Sequence, residues 1–311
     1  MKNNLGDIIR MNPKYSASRF STYNSCLQKY KLTYIDELVV ANREFSVQKK
    51  GLVFHSIAEH TEIDDTYEDV YKKAEATIKE FGMTDEELEK YPILNAIPSF
   101  YFWWQKYVVD KVKNEGYTLN KECWENGTLN KAPLTGALDV CLINEQEKKF
   151  VILDYKSGSS AKLSEGYCNQ LLLYVYMLAQ KYQIPENELT DRFRCYLFYP
   201  LAGIKNIDIN DSAKVEKLAL KNTLEYKFTL DDYHKLISDF SSIIDKTNET
   251  NWKDLDQIQS SNLSFSCSFC SFCGHPKYCK LSYDSGLFFP RSAKVMTKEE
   301  YKVWKENQKT N

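Results

Sequence analysis

The chain predicts an α/β fold, and three observations carry that expectation. Segments with a two-residue apolar period gather between residues 118 and 199, segments with a helical period lie on both sides of them, and the run from Phe150 to Tyr155 is apolar enough to be a buried strand. At 311 residues, with 43% hydrophobic and 14% aromatic content, the chain is long enough to bury a sizeable core.

The elements read in order as follows. Residues 1–15 form a loose start. Phe20, Tyr23, Leu27, Tyr30 and Tyr34 recur at helical steps, so the sequence predicts one helix through them, capped by Ser18 or Ser21 and carrying Cys26. A second helix opens at Gly51, with His55 near its start and Glu59 on its solvated side. Residues 61–115 read as a helical insertion made of Tyr67–Phe81, Asp85–Tyr91 and Ile97–Lys113, in which the aromatic run 100–104 is read as the insertion's own core rather than as a base-stacking surface. The α/β core is placed at 116–210: strands over Thr118–Glu125, Thr135–Ile143 and Phe150–Tyr155, the last two joined by a polar turn at 144–148, a helix over 164–181, a strand over Arg194–Tyr199 and another near Lys205–Ile209. A long helix, Leu230–Lys246, precedes a cysteine-rich stretch at 267–279. The tail, 292–311, carries five Lys against three Glu from Lys294 onward and is expected to be a basic, helical or frayed end.

Composition narrows the function classes. The formal net charge of −2 gives no global nucleic-acid signature, so any basic surface must be local. The N-terminus lacks an apolar leader, no segment has the length of a membrane span, and a cytoplasmic, single-domain protein over 1–311 is expected. Nine cysteines without a secretion signal point to reduced thiols or a metal site rather than to a disulfide framework. No phosphate-binding Gly-x4-Gly-Lys-Ser/Thr loop is present, so the chain has no nucleotide-driven motor of its own.

The chemistry centres on Asp154-Tyr155-Lys156. Two residues apart at the end of a strand, Asp154 and Lys156 leave the same face. Asp139 lies on the first arm of the hairpin, where pairing can bring its carboxylate to that of Asp154. Two carboxylates so close favour a proton or a divalent cation between them. Oxygen ligands suit Mg²⁺ or Mn²⁺, an imidazole from His55 inclines the site toward Mn²⁺, and Lys156 is placed to meet the charge that develops on a phosphodiester. As a lone tripeptide Asp-x-Lys is common; its order among His55, Gly136-x-x-Asp139 and Gln170-x-x-x-Tyr174 is what gives it weight.

That ordered series resembles the RecB-like branch of the PD-(D/E)XK nuclease superfamily, which includes the nuclease domains of the RecBCD and AddAB helicase–nucleases and the CRISPR-associated adaptation exonucleases. The resemblance implies a restriction-endonuclease-like core and a metal-dependent DNA exonuclease. It assigns metal binding to His55, Asp139, Asp154 and the backbone carbonyl of Tyr155, the catalytic Lys to Lys156, and site-lining roles to Gln170 and Tyr174. A stand-alone chain of this size is most similar to the adaptation nucleases or phage-encoded relatives. The implied substrate is single-stranded DNA or a frayed end, in recombination, repair, CRISPR adaptation or phage DNA processing, with recombination or adaptation proteins as partners in a bacterial or phage-infected cell.

The cysteines extend the resemblance. Cys267, Cys270, Cys273 and Cys279 fall within 13 residues, and taken alone they fit a zinc knuckle, with His275 as a further ligand, or an iron–sulfur site. The family pattern implies a [4Fe–4S] cluster on Cys26, Cys270, Cys273 and Cys279, with Cys267 as a substitute ligand, stapling 18–35 to 264–284. Cys123, Cys141, Cys168 and Cys195 are expected to be core thiols. Arg19, Lys29, Lys31, Lys162, Lys277 and Lys280 are the candidates for phosphate contacts. Two other functions fit less of the pattern: a non-catalytic DNA-end-binding assembly subunit and a zinc-stabilised interaction protein.

Overall fold

The structure, a computed structural model, describes residues 14–41, 46–253, 272, 278–279 and 294–309. The elements, in chain order, are α1 (Ala17–Ser25), α2 (Leu27–Tyr30, extended by a π-helical turn, Lys31–Ile35), β1 (Leu38–Ala41), α3 (Ser46–His60), α4 (Tyr67–Glu80), α5 (Asp85–Lys90) and α6 (Ile93–Trp104). A π-helical turn, Gln105–Val109, carries α6 into α7 (Asp110–Asn114). Then come β2 (Thr118–Leu129), β3 (Ala132–Asn144), β4 (Lys149–Tyr155), α8 (Glu165–Tyr182), α9 (Leu189–Arg192), β5 (Phe193–Phe198), α10 (Ser212–Lys221), β6 (Thr223–Tyr226), α11 (Leu230–Glu249), β7 (Lys294–Thr297) and α12 (Lys298–Lys309). Among the described residues no helix is long and apolar enough to cross a membrane.

The chain forms two compact units, one from residues 1–14 and 45–238, the other from 15–44 and 239–311. In the first, five strands pair in the order β2-β3-β4-β5-β6. β2, β3 and β4 are successive antiparallel neighbours, β4 and β5 run parallel, and β6 returns antiparallel to β5. The parallel pair demands a crossover, which α8 supplies. One face of the sheet carries an apolar cluster in which Val140, Leu142, Val151, Leu153 and Phe198 meet Phe54 and Ile57 of α3 and Phe100, Trp103 and Trp104 of α6. Trp103 stacks on Phe198 at 4.5 Å between ring centroids. Phe100, Trp103 and Trp104 of the aromatic run are fully buried, packed on the sheet rather than within the insertion alone.

In the second unit, β1 and β7 form a two-stranded antiparallel sheet. Phe20 stacks on Phe240 and Tyr30 on Trp252. A small apolar cluster joins Leu32 to Phe272, with Val40, Tyr278, Cys279 and Val295 packed on it.

Three sequence expectations are corrected here. The helix predicted through Cys26 is broken there: Cys26 is extended, at φ −166° and ψ 108°, and caps α2 by accepting a hydrogen bond at Sγ from the Lys29 amide. No strand forms near Lys205–Ile209. A short 3-10 turn, Ile204–Asn206, sits there instead, set off by Gly203 at φ 72°, and Asp211 caps α10 by accepting from the Lys214 amide. The sheet edge is the four-residue β6, too short for its alternation to stand out. The tail contributes β7 before its helix.

Candidate active site

Three neighbouring strands each bring one acid to the same level of the sheet. Val140 pairs with Leu153, so Asp139, midway along β3, and Asp154, near the end of β4, are the next opposed positions beyond that ladder. Across from Asp139 on the other side lies Glu122: Lys121 pairs with Val140 and Cys123 with Leu138, while Glu122 and Asp139 between them are not ladder partners.

The reason is a local inversion of the hairpin. Glu122 has φ 44°, in the left-handed region that non-glycine residues rarely occupy. Before it, Leu119 packs toward the helical cluster and Lys121 reaches the Thr61 carbonyl at the end of α3. After it, Glu125 pairs with Lys181 of α8 and Gly127 lies against Met177 and Gln180. These residues have the same parity but look to opposite faces. β3 inverts with β2, since Gly136 lies under Tyr174 of α8 whereas Val140 and Leu142 belong to the cluster with α3 and α6. At the crossover the Asp139 carboxylate takes over a main-chain role, accepting from the Tyr155 amide at 2.6 Å.

α3 presents His55 to this point, its Nδ1 3.4 Å from Asp139 Oδ1 and 3.9 Å from Glu122 Oε1. A donor atom from each of His55, Glu122 and Asp139 lies within 4.8 Å of the others. Burial alone lowers the imidazole's basicity, but hydrogen bonding to Asp139 and Glu122 and the charges of Asp139 and Asp154 outweigh it and push His55 up to about 10. Asp154 is 2% exposed. Its carboxyl is raised by that burial and by the charge of Asp139, against the opposing pull of Lys156 and His55. Lys156 Nζ sits 2.5 Å from Asp154 Oδ2, yet this buried oxygen accepts no well-directed hydrogen bond. Hard oxygens, one imidazole and an acid oxygen left without a directed donor are a set that fits a divalent cation.

Lys156 is held by a relay from α8. Nζ donates to Gln170 Oε1 at 2.8 Å, Gln170 Nε2 donates to the Tyr174 hydroxyl at 2.7 Å, and that hydroxyl donates to the Ala137 carbonyl at 2.6 Å. The ammonium has no acceptor to offer, so it fixes the orientation of the Gln170 amide and hence the direction of the whole relay. Burial, then the charge of Asp154, raises Tyr174 far above the usual phenol range, so it remains a donor. The ring of Tyr167 lies 4.4 Å from Lys156 Nζ. Gly136 is required by this arrangement: a Cβ there would lie 2.6 Å from Tyr174 Cε1.

A cleft of about 520 Å³ opens on these groups, lined by His55, Asp139, Asp154, Tyr155, Lys156, Tyr167 and Gln170, with Lys50 and Ser157–Ser159. The larger part of the site expected from sequence is therefore brought together: His55, Asp139, Asp154, Tyr155, Lys156, Gln170 and Tyr174. Glu59 is exposed on the α3 surface. Lys162 is exposed, and its carbonyl accepts from the Tyr199 hydroxyl. Arg19 is 5% exposed. Its guanidinium lies over the rings of Tyr15, Tyr30 and Tyr34, and Nε donates to the Tyr30 hydroxyl, which leaves a phosphate no approach in this arrangement. Cys267, Cys270, Cys273, Lys277 and Lys280 lie outside the described residues. Of the four cysteines expected in the core, Cys141 and Cys195 are buried, and burial raises both thiols as inert core cysteines require, whereas Cys123 and Cys168 are only half-buried.

Glu122 was not read from sequence. Its signal is the tight turn Asn130–Lys131, both residues at positive φ, which sets the β2–β3 register and puts position 122 across from 139. Without a glycine in that turn, the hairpin does not announce itself.

The sequence profile of the PD-(D/E)XK nuclease superfamily matches residues 14–280. No curated protein matches the chain by sequence. Among solved structures, a protein from Eubacterium rectale named "Putative exonuclease" is similar at 9% identity and a TM-score of 0.43, over 85% of this chain and 96% of that one. The protein SSO0001 is similar at 14% identity and a TM-score of 0.28, over 67% of this chain and 88% of that one. Both likenesses are distant, and the assignment rests on the profile match together with a mixed five-stranded sheet flanked by helices. The chain belongs to the PD-(D/E)XK nuclease superfamily and is a nuclease.

Proposed function

We propose that this nuclease is a metal-dependent DNA exonuclease of the RecB-like branch, acting on single-stranded DNA or frayed ends. It works in the cytoplasm of a bacterial or phage-infected cell, in recombination, CRISPR adaptation or phage DNA processing. The observation that supports this best is the convergence of Asp139, Asp154, Lys156 and His55 on one cleft, with Gln170 and Tyr174 holding the lysine.

His55, Asp139, Asp154, the Tyr155 carbonyl and Glu122 are the groups that would hold Mg²⁺ or Mn²⁺. Such an ion, when bound, supplies a Lewis acid for a phosphoryl oxygen and a water of lowered pKa. The rest of the chemistry falls to the chain. Lys156, charged and aimed by Gln170, stabilises the negative charge that grows on the phosphorus oxygens. The relay to the Ala137 carbonyl fixes that ammonium before substrate arrives, so little reorganisation is left for the reaction. Burial and the charge of Asp139 raise the Asp154 carboxyl, and a cation bound beside it would favour the ionised form.

The [4Fe–4S] staple on Cys26, Cys270, Cys273 and Cys279, with Cys267 as a substitute, is part of the same proposal. Supporting it, Gln28 Nε2 donates to the Tyr278 carbonyl at 3.0 Å, so the residue before Cys279 packs on the helix that Cys26 caps. A cluster there closes a loop of most of the chain, and its loss should loosen the second unit.

The test is a comparison of end-labelled linear single-stranded, linear double-stranded and circular single-stranded DNA with Mg²⁺, Mn²⁺ or a chelator. Loss of linear DNA from its ends, fastest on single strands and abolished by chelation, is expected. Equal cleavage of circular and linear DNA rules out the exonuclease, and cleavage in a chelator rules out the metal.

A further inference from the structure

We propose that Lys50 binds a backbone phosphate of the substrate strand; the inference rests on the nuclease reading above and names a contact that the reacting groups do not supply. Lys50 lies on α3, five residues before His55, and is 7% exposed. Its position lines the same cleft as His55, Asp139, Asp154 and Lys156.

Lysines this buried are normally paired with an acid, because an isolated ammonium loses its hydration without return. Among the described residues no carboxylate lies within ion-pair distance of Lys50. Its neighbours are the Tyr91 ring, 4.6 Å from Nζ, and Lys90, itself 5.4 Å from that ring and exposed. A second cation beside the first is the opposite of compensation, and burial pulls Lys50 below the ordinary lysine range. The other ammonium lining the cleft, Lys156, is already held by Asp154 and Gln170. Lys50 is the one whose charge has no answering acid.

The local fold explains why it stays. Gly51 lets α3 close on the turn after β4, since a Cβ there would meet Ser157 Oγ at 3.0 Å. Lys50 is thereby set beside Ser157, Gly158 and Ser159, which line the cleft with it. Ser157, Ser159 and an ammonium without an acid partner line the cleft along with the acids that would hold metal, which makes it a surface for an anion. In a nuclease cleft that anion is a phosphate of the strand, and exposed Lys90, near the same Tyr91 ring, adds a second positive charge nearby.

The alternative is that Tyr91 alone satisfies the ammonium by a cation–π contact. Salt dependence separates the two. Binding of a fluorescein-labelled single-stranded oligonucleotide is followed by anisotropy across a salt series, with Ca²⁺ replacing Mg²⁺ to prevent cleavage. Each lost phosphate contact lowers the slope of log Kd against log salt by about 0.7 for single strands. Lys50→Met, which keeps the apolar stem, should lower the slope by that amount, and Lys50→Arg should restore it. An unchanged slope for Lys50→Met, with thermal stability altered or not, overturns the proposal and leaves the nuclease reading standing. If the wild-type protein binds no DNA, both fall.

Discussion

At the level of single residues, the site is a problem in charge balance that the fold leaves open for a cation. Glu122, Asp139 and Asp154 bring three carboxylates together against one imidazole and one ammonium. In the metal-free protein His55 answers them by holding its proton up to about 10. Its folded pKa is raised above the usual histidine value, so the stabilisation it gives is complete below about pH 6.5 and is lost as pH rises through about 10. A metal ion held by His55, as proposed, would displace that proton. Calorimetric Mn²⁺ titrations of His55-containing protein should therefore show affinity increasing with pH between those limits and proton release on binding; pH-independent affinity would mean that His55 is not a ligand. Glu122 makes a second prediction. Its left-handed backbone is strained, so Glu122→Gly should stabilise the protein by about 1 kcal/mol while weakening Mn²⁺ binding. A variant with lower melting temperature and intact Mn²⁺ affinity would deny both halves. Asp139, Asp154 and Lys156 were legible in the sequence because their spacing and order repeat a known series. Glu122 and Lys50 were not, since a glutamate in a strand and a lysine before a glycine are ordinary until the pairing partner and the cleft are seen.

At the level of elements, α8 and the β2–β3 hairpin do the positioning. α8 crosses between the parallel strands β4 and β5, which brings Gln170 and Tyr174, one turn apart, above the end of β4. The close approach to Gly136 is the constraint. Gly136→Ala should push Tyr174 away from the Ala137 carbonyl and cost about 1–3 kcal/mol of stability. Gln170→Ala leaves the packing alone but frees Lys156, and should lower kcat about 10–100-fold with KM little changed; a change confined to KM would make Gln170 a DNA contact instead. The strand periods, α8 and α11 were readable because their patterns are long. The break at Cys26 was not, because the aromatic residues keep helical spacing across it while the backbone turns out for one residue. The inversion at Glu122 was equally silent, because alternation weakens there without any glycine or proline to mark it.

At the level of the whole molecule, the chain builds a sheet-centred unit that holds the acids and a second unit, made from both ends of the sequence, that holds Cys26 and Cys279. The proposed cluster would tie together a second unit in which, among the described residues, a two-stranded sheet, a small apolar cluster and the aromatic stacks of Phe20 and Tyr30 make the packing. Protein purified without oxygen should be brown, with iron and sulfide in equal amounts. Cys26→Ser should bleach it and lower the melting temperature, whereas a colourless wild-type protein containing zinc would replace the cluster with a zinc site. In the proposed mechanism, Asp154 and Lys156 carry out phosphodiester hydrolysis. The most direct test is single-turnover cleavage of end-labelled single-stranded DNA with Mn²⁺ by the wild-type protein, Asp154→Ala and Lys156→Ala, each shown to be folded. Cleavage by the wild type and a loss of at least about 100-fold in both variants is the predicted result; equal rates in all three proteins would contradict it.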